Sequence, residues 1–357
     1  MSTTNDTPTA PSNDEAPAPR AVDEPSIVHE EEPPIVPDEE ETDDSSSDIG
    51  SSVASSRTSL ASSVNAYRIE HGRAYQTRNE DKYHYPIDER ESDRLDLQHW
   101  LCVMSFDGKL GLAPPNDEGS QVQRVLDVGT GTGIWAIAFG DEHPDAEVIG
   151  VDLVPPKVEF VPPNVILEVD DIDEPWTYNH SFDYIHSRMM TSSISNWKDY
   201  LQKCFDNLSP GGYFEMQEAD LFPQSDDGTL KPDAAIIKSC TYVQQACTIF
   251  GRPFAKITDL AHTMTEVGFE DVVVTKNKWP MNTWPKDRHY KTLGMWSLEN
   301  YLQGIEGWTM PAFTKGLNWK PEEVQVFLVD VRKEMKDTSI HAYWPVYSIY
   351  GKKPTKK

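Results

Sequence analysis

The run RVLDVGTGTGIW, from Arg124 to Trp135, constrains this chain more than any other stretch. A short apolar segment, three glycines at alternate positions and then a helical pattern read as a strand, a tight turn and a helix. The backbone of the turn is left bare, as it must be where something lies close against it. Asp127 stands two residues before the first glycine, Gly129. A dinucleotide-binding turn needs G-x-G-x-x-G/A, which would put its third small residue at position 134. Position 134 is isoleucine, and the third glycine comes one residue early, at Gly133. A nicotinamide dinucleotide is therefore disfavoured as the ligand.

The flanking sequence alternates strand and helix signals. AEVIGVDL, NVILEVDDI, FDYIHSR and GYFEMQEA are apolar runs rather than strict alternations. Helical patterns run from about Gly133 to Glu142 and through Trp197, Leu201, Cys204, Phe205 and Leu208, stopped by Ser209-Pro210-Gly211-Gly212. Such strands belong to a parallel sheet covered on both faces. Beyond residue 230 follow a helix around Cys240, another over Ile257–Val267, a strand in FEDVVVTKN, a helical insertion at about 285–338 and a last strand in SIHAYWPVYSIYG. A doubly wound sheet binds ligands at the carboxyl ends of its strands near the first strand, where the glycine turn lies.

Composition divides the chain of 357 residues, whose net charge is −27. Residues 1–60 carry 15 Asp and Glu against two Arg, with many prolines and a serine tract, so residues 1–64 read as a disordered acidic tail. Residues 65–120 read as a helical lead-in or lid, and 121–357 as the main domain. The acidic balance argues against direct contact with nucleic acid, which needs a basic face. No apolar run approaches the ~18 residues that span a bilayer, and the acidic start is no secretory signal. Cys102, Cys204, Cys240 and Cys247 lack metal-ligand spacing, and no metal is expected. The expected location is cytoplasmic, nuclear or both.

The order D-x-G-x-G-x-G, then Asp152 at the end of the next strand, then Asp170-Asp171-Ile172 resembles motif I and its sequels in class I S-adenosylmethionine-dependent methyltransferases. The resemblance implies a seven-stranded Rossmann-like α/β sheet of order 3-2-1-4-5-7-6, strand 7 antiparallel, with helices on both faces. It implies that Gly129, Thr130, Gly131, Thr132 and Gly133 pass against the amino acid end of S-adenosyl-L-methionine. Asp127 would face its amino group, and Asp152, followed by Leu153, the ribose hydroxyls. Asp170, Asp171 and Ile172 would face the adenine.

The longer stretches DVGTGTGIWAIAFGDEHPDAEVIGVDL, PPNVILEVDDIDEPWTY, FDYIHSRMM and LSPGGYFEMQEADL resemble the fungal LaeA-like methyltransferases, as do EHGRAYQ and HAYWPVYSIYGKKP. That family includes secondary-metabolism regulators acting with velvet-type proteins, as well as enzymes of metabolite pathways. The resemblance thus implies a small-molecule or protein methyl acceptor and leaves open a regulatory subunit with little turnover. Catalytic candidates lie at the ends of strands 4 and 5. His186 is a possible base or a residue packed beside the cofactor, and Glu218 faces the acceptor or balances a charge. Arg188 is expected to pair with a carboxylate, Trp135 to pack in the core or as a shelf for the cofactor, and Tyr75 to close over it.

Overall fold

The computed structural model describes residues 27–38, 67–77, 82–158 and 160–355. In chain order its elements begin with β1 (Val28–Glu31), the hairpin β2 (Tyr67–Glu70) and β3 (Arg73–Gln76), and α1 (Glu89–Ser105). Then come β4 (Arg124–Val128), α2 (Ile134–Glu142), β5 (Glu147–Asp152), β6 (Val165–Val169), β7 (Phe182–Arg188), α3 (Trp197–Asn207) and β8 (Leu208–Ala219). The chain continues through β9 (Gln224–Ser225), α4 (Ala235–Ile249), α5 (Ile257–Val267), β10 (Glu270–Pro280), α6 (Arg288–Pro311), α7 (Pro321–Lys336) and β11 (Ala342–Lys352).

The main sheet has the order β6-β5-β4-β7-β8-β11-β10-β1, with β9 pairing to β11. From β6 to β10 this is the expected order 3-2-1-4-5-7-6, and β11, antiparallel to both β8 and β10, is the expected strand 7.

Strand alternation decides what each face holds. Leu126, Val128 and Ile185 point to a core shared with Leu201 and Cys204 of α3 and Leu260 and Met264 of α5. Val125 and Tyr184 point the other way, into a core with Trp135 and Phe139 of α2. A third core joins α1, α4, α6 and α7 against Trp279, Met281, Trp344 and Val346 at one end of the sheet. The insertion expected at about 285–338 is this helical body, formed by α6 and α7 between β10 and β11.

Two expectations change. Part of the acidic segment is folded: β1 lies parallel to β10, pairing Val28 with Val273 and Glu31 with Lys276, so an eighth strand extends the sheet. Its charges meet lysines, with Glu31 2.7 Å from the Lys276 ammonium and Asp38 paired to Lys291. The rest of the expected tail lies outside the described residues. The lead-in is also more than a helix, since it begins with the β2–β3 hairpin. Arg73 of that hairpin grips Asp88 at 2.7 and 2.8 Å, and Asp88 caps α1 by accepting from the Glu91 amide.

Candidate active site

The glycine turn leaves β4 at the carboxyl edge of the sheet. The Gly129 and Thr130 amides donate to the Val151 carbonyl of β5, at 2.9 and 3.0 Å, which folds the turn back over the strand ends. Gly131 has φ +58°, in the left-handed region, and a Cβ there would touch only Leu95, at 3.6 Å. The bare backbone at 131 therefore faces open space. At Gly129 the case is different, because a Cβ would collide with the Met190 side chain.

Two cavities of about 240 Å³ each meet at this turn, sharing Tyr83, Glu91, Leu95, Gly131 and Asp152. Asp152 stands between them. Its Oδ2 accepts from the Gly131 amide and its Oδ1 from the Val154 amide, both at 2.9 Å. A carboxylate offers about four lone-pair sites, so two remain for a ligand's hydroxyls. Burial raises its carboxyl above the usual range against the pull of those amides. One cavity continues over Ile134, Ile137 and Val154–Val158. The other runs past Arg188 and Met189–Ser193 into a chamber walled by Cys240, Val243, Trp279, Tyr301, Ile305, Trp308 and Trp344. Trp279 and Trp344 are cross-strand partners at the ends of β10 and β11, and Tyr301 of α6 stacks on Trp344 with centroids 4.4 Å apart.

Several of the residues named from sequence do not face these cavities. Asp127, His186 and Glu215 form a cross-strand row across β4, β7 and β8, on the α2 face of the sheet. Asp127 Oδ1 meets His186 Nδ1 at 2.8 Å, and its Oδ2 accepts from the Thr130 hydroxyl at 2.6 Å. The carboxylate thus braces the turn from beneath. His186 is fully buried and lies flat on Trp135, with centroids 3.8 Å apart and planes 6° apart, so it packs in the core and lines neither cavity. Trp135 donates to the Leu110 carbonyl at 3.0 Å; it packs in the core and lines neither cavity.

Glu218, also fully buried, accepts from the Met190 and Thr191 amides at 2.9 and 3.1 Å and from the Thr191 hydroxyl at 2.8 Å. It shapes the loop after β7 that lines the chamber, and its own side chain lines neither cavity. Burial pushes its carboxyl up to about 7, with those hydrogen bonds pulling the other way. Tyr75 is buried among the side chains of the hairpin, under Arg68 and Lys315, and closes over neither cavity. Asp171 accepts from Lys82 at 2.6 Å, Asp170 is exposed, and Ile172 packs against the α3 core. None of the three lines a cavity. Thr132 donates to Asp96 of α1 at 2.6 Å, tying the turn to the lead-in. The Gly133 turn abuts Leu167, and Leu153 is half-buried beside Asp152. Arg188 meets no carboxylate among the described residues; its Nη2 donates to His99 Nδ1 at 3.2 Å.

The lead-in supplies wall residues that sequence reasoning missed. Tyr83 and Tyr85 sit over the cleft, and Tyr85 is hydrogen-bonded to Ser192. Glu91 and Arg94 form a buried pair at 2.8 Å, and Arg94 Nη1 donates to Asn300 of α6 at 2.8 Å, locking α1 to the helical body. The signal was present as the YHY triplet before Pro86 and the Trp-Pro pairs at 279–280 and 344–345. The Glu91–Arg94 spacing would suit an exposed helix face equally well.

Residues 97–274 match a family model described as a methyltransferase domain. The chain is 38% identical over 301 residues to methyltransferase pytC of Aspergillus terreus, covering 84% of this chain and 92% of the relative. It is 36% identical to the secondary metabolism regulator LAE1 of Cochliobolus heterostrophus, covering 81% and 96%. It is 32% identical to the protein-methionine methyltransferase laeA of Emericella nidulans, covering 85% and 81%. No helix among the described residues is long and apolar enough to cross a membrane. The strand order, the glycine turn that opens on a cleft and these relatives agree, and the chain belongs to the LaeA-like group of class I S-adenosylmethionine-dependent methyltransferases.

Proposed function

We propose that this enzyme methylates a small, largely apolar metabolite held in the chamber between α4, α6 and the ends of β8, β10 and β11. The cofactor supplies an activated methyl group on a sulfonium, so the protein's task is to orient the partners and exclude water. The open backbone at Gly131 holds the methionine end, and the spare lone pairs of Asp152 hold the ribose. The cavity over Ile134, Ile137 and Val154 takes the adenine ring, in place of Asp170–Ile172. Asp127 and Glu218 act through what they hold, the turn and the Met190–Thr191 loop.

The observation that carries this reading is the continuity of the larger cavity from Gly131 and Asp152 to a wall of four aromatic rings, Trp279, Tyr301, Trp308 and Trp344. Concave, mostly apolar lining with a few polar groups suits a small ligand. Asp220, at the mouth of β8, also lines the chamber, and burial raises its carboxyl above the usual range. It is the candidate to receive a proton from an acceptor hydroxyl or amine.

The names of the relatives support a place in secondary metabolism, and that of laeA from Emericella nidulans keeps a protein acceptor in view. A formed chamber favours turnover over a purely regulatory role beside a velvet-type partner. The test is transfer of a labelled methyl group from S-adenosylmethionine into fungal extract, separated into protein and small molecules. Label in the small-molecule fraction is expected; label only in protein overturns the acceptor class, and none in either favours the regulatory reading.

A further inference from the structure

The chamber contains a cation, Arg188, that forms no ion pair among the described residues, although Glu91, Asp152 and Asp220 line the same chamber. Of the two arginines on its wall, Arg94 is neutralised by Glu91 and held by Asn300. Arg188, which ends β7 where the turn and the chamber meet, has the His99 imidazole and the Cys102 thiol beside it and no carboxylate in an ion pair among the described residues. That imidazole is neutral: burial, and then the Arg188 charge, push His99 down to about 3, so its Nδ1 accepts from the guanidinium and offsets none of its charge. The second terminal nitrogen, Arg188 Nη1, is buried with no hydrogen-bond partner in the described structure. Trp344 Nε1, on the same chamber's wall, is a second buried donor without a partner. Buried donors are nearly always satisfied, and a charged one left unmet is costly. Two such donors on the wall of one apolar chamber call for an acceptor supplied from outside the chain.

We propose that Arg188 and Trp344 anchor an anionic oxygen of the methyl acceptor, and that the acceptor is a flat aromatic metabolite bearing a carboxylate or an ionised hydroxyl. The planar guanidinium suits an anionic oxygen through charge-assisted hydrogen bonds, and the indole N–H is a donor only. The rings of Tyr301, Trp308 and Trp279 supply flat apolar surface for the body of the molecule. This rests on the small-molecule reading above and narrows it to a class.

The same cation would also suit the carboxylate of the cofactor's methionine end, and the experiment separates the two. Full-length protein saturated with S-adenosylhomocysteine is titrated calorimetrically with indole-3-carboxylate and with its neutral isostere, indole-3-carboxamide. Wild type is expected to prefer the carboxylate by about tenfold or more. In Arg188→Met the preference falls to about twofold or less while S-adenosylhomocysteine affinity stays within about threefold of wild type. Trp344→Phe, which keeps a ring and removes the N–H, lowers the preference in part. Equal binding of both probes to wild type overturns the proposal. So does a loss of S-adenosylhomocysteine affinity in a folded Arg188→Met that matches the loss of probe, since Arg188 would then hold the cofactor. If Arg188→Met fails to fold, Arg188→Lys and Trp344→Phe decide the matter by the same ratio. Wild type that binds no S-adenosylhomocysteine refutes the cofactor site instead, a result distinct from either.

Discussion

Asp127 and His186 are register partners on adjacent strands, joined at 2.8 Å under the glycine turn and facing α2 rather than the cleft. Both were candidates for direct work on ligands, and alternation along β4 and β7 turns both inward. His186→Ala should therefore act on stability. The lost stacking on Trp135 and the stranded Asp127 oxygen predict a loss of about 2–4 kcal/mol in denaturant unfolding. Methyl transfer per folded molecule should stay within about tenfold of wild type. A far larger loss with the fold intact would return His186 to the chemistry.

Gly131→Glu tests the cradle. The left-handed φ at 131 strains any L side chain by about 1–2 kcal/mol, but a Cβ there meets only Leu95, so the mutant should fold with its melting temperature lowered by no more than about 8 °C. On the proposed cofactor site, the longer side chain fills the space of the methionine end. Calorimetry should show S-adenosylmethionine affinity falling by about 100-fold or more. Unchanged affinity would place the cofactor elsewhere.

Glu218 predicts a pH dependence with a definite sign. Its carboxyl lies at about 7 in the folded state against an ordinary 4.5, because burial outweighs the hydrogen bonds it accepts. Between those values the folded state holds a proton that the unfolded chain has released. Stability from this group is full below pH 4.5, declines as pH rises through the window, and is flat above about 7. Glu218→Gln removes that slope in urea titrations from pH 4.5 to 8. It also lowers stability throughout, since an amide NH2 now faces a donor of the Met190–Thr191 loop. A slope that survives the substitution would assign it to another group.

Removing residues 1–38 should bare the edge of β10. All four side chains of β1 are exposed, so the lost burial is small, but a row of backbone groups loses its partner. The expected signature is concentration-dependent association in light scattering with a modest fall in melting temperature. A truncated protein that stays monodisperse would show that the edge is protected by its own lysines.

Much of the architecture was legible because it rests on local pattern. Apolar runs between helical repeats pointed to the parallel sheet, and the glycine turn and Asp152 named from sequence do border the two cavities. What failed has a common cause. The outward or inward sense of Asp127, His186 and Glu218 depends on which parity of each strand faces which helix, and an apolar run buried on both faces hides that parity. Tyr75 and Tyr83 belong to one aromatic lead-in, yet Tyr75 is buried in the hairpin while Tyr83 lines both cavities, a difference that composition does not carry. The strand at Val28–Glu31 was invisible because its pairing is made of backbone and its side chains are acidic or exposed. Arg188 was expected to find a carboxylate, and its actual neighbour, His99, lies 89 positions away in the chain.

The two halves of the cleft draw on different stretches of the chain. Gly129, Gly131, Asp152 and the wall at Val154–Val158 come from the first half of the main domain, whereas Trp279, Tyr301, Trp308 and Trp344 come from its last third. Substitutions in α4, α6 and the rims of β10 and β11 can reshape the chamber without touching the glycine turn. A substitution on one side can thus change what the chamber admits and leave the turn and Asp152 untouched.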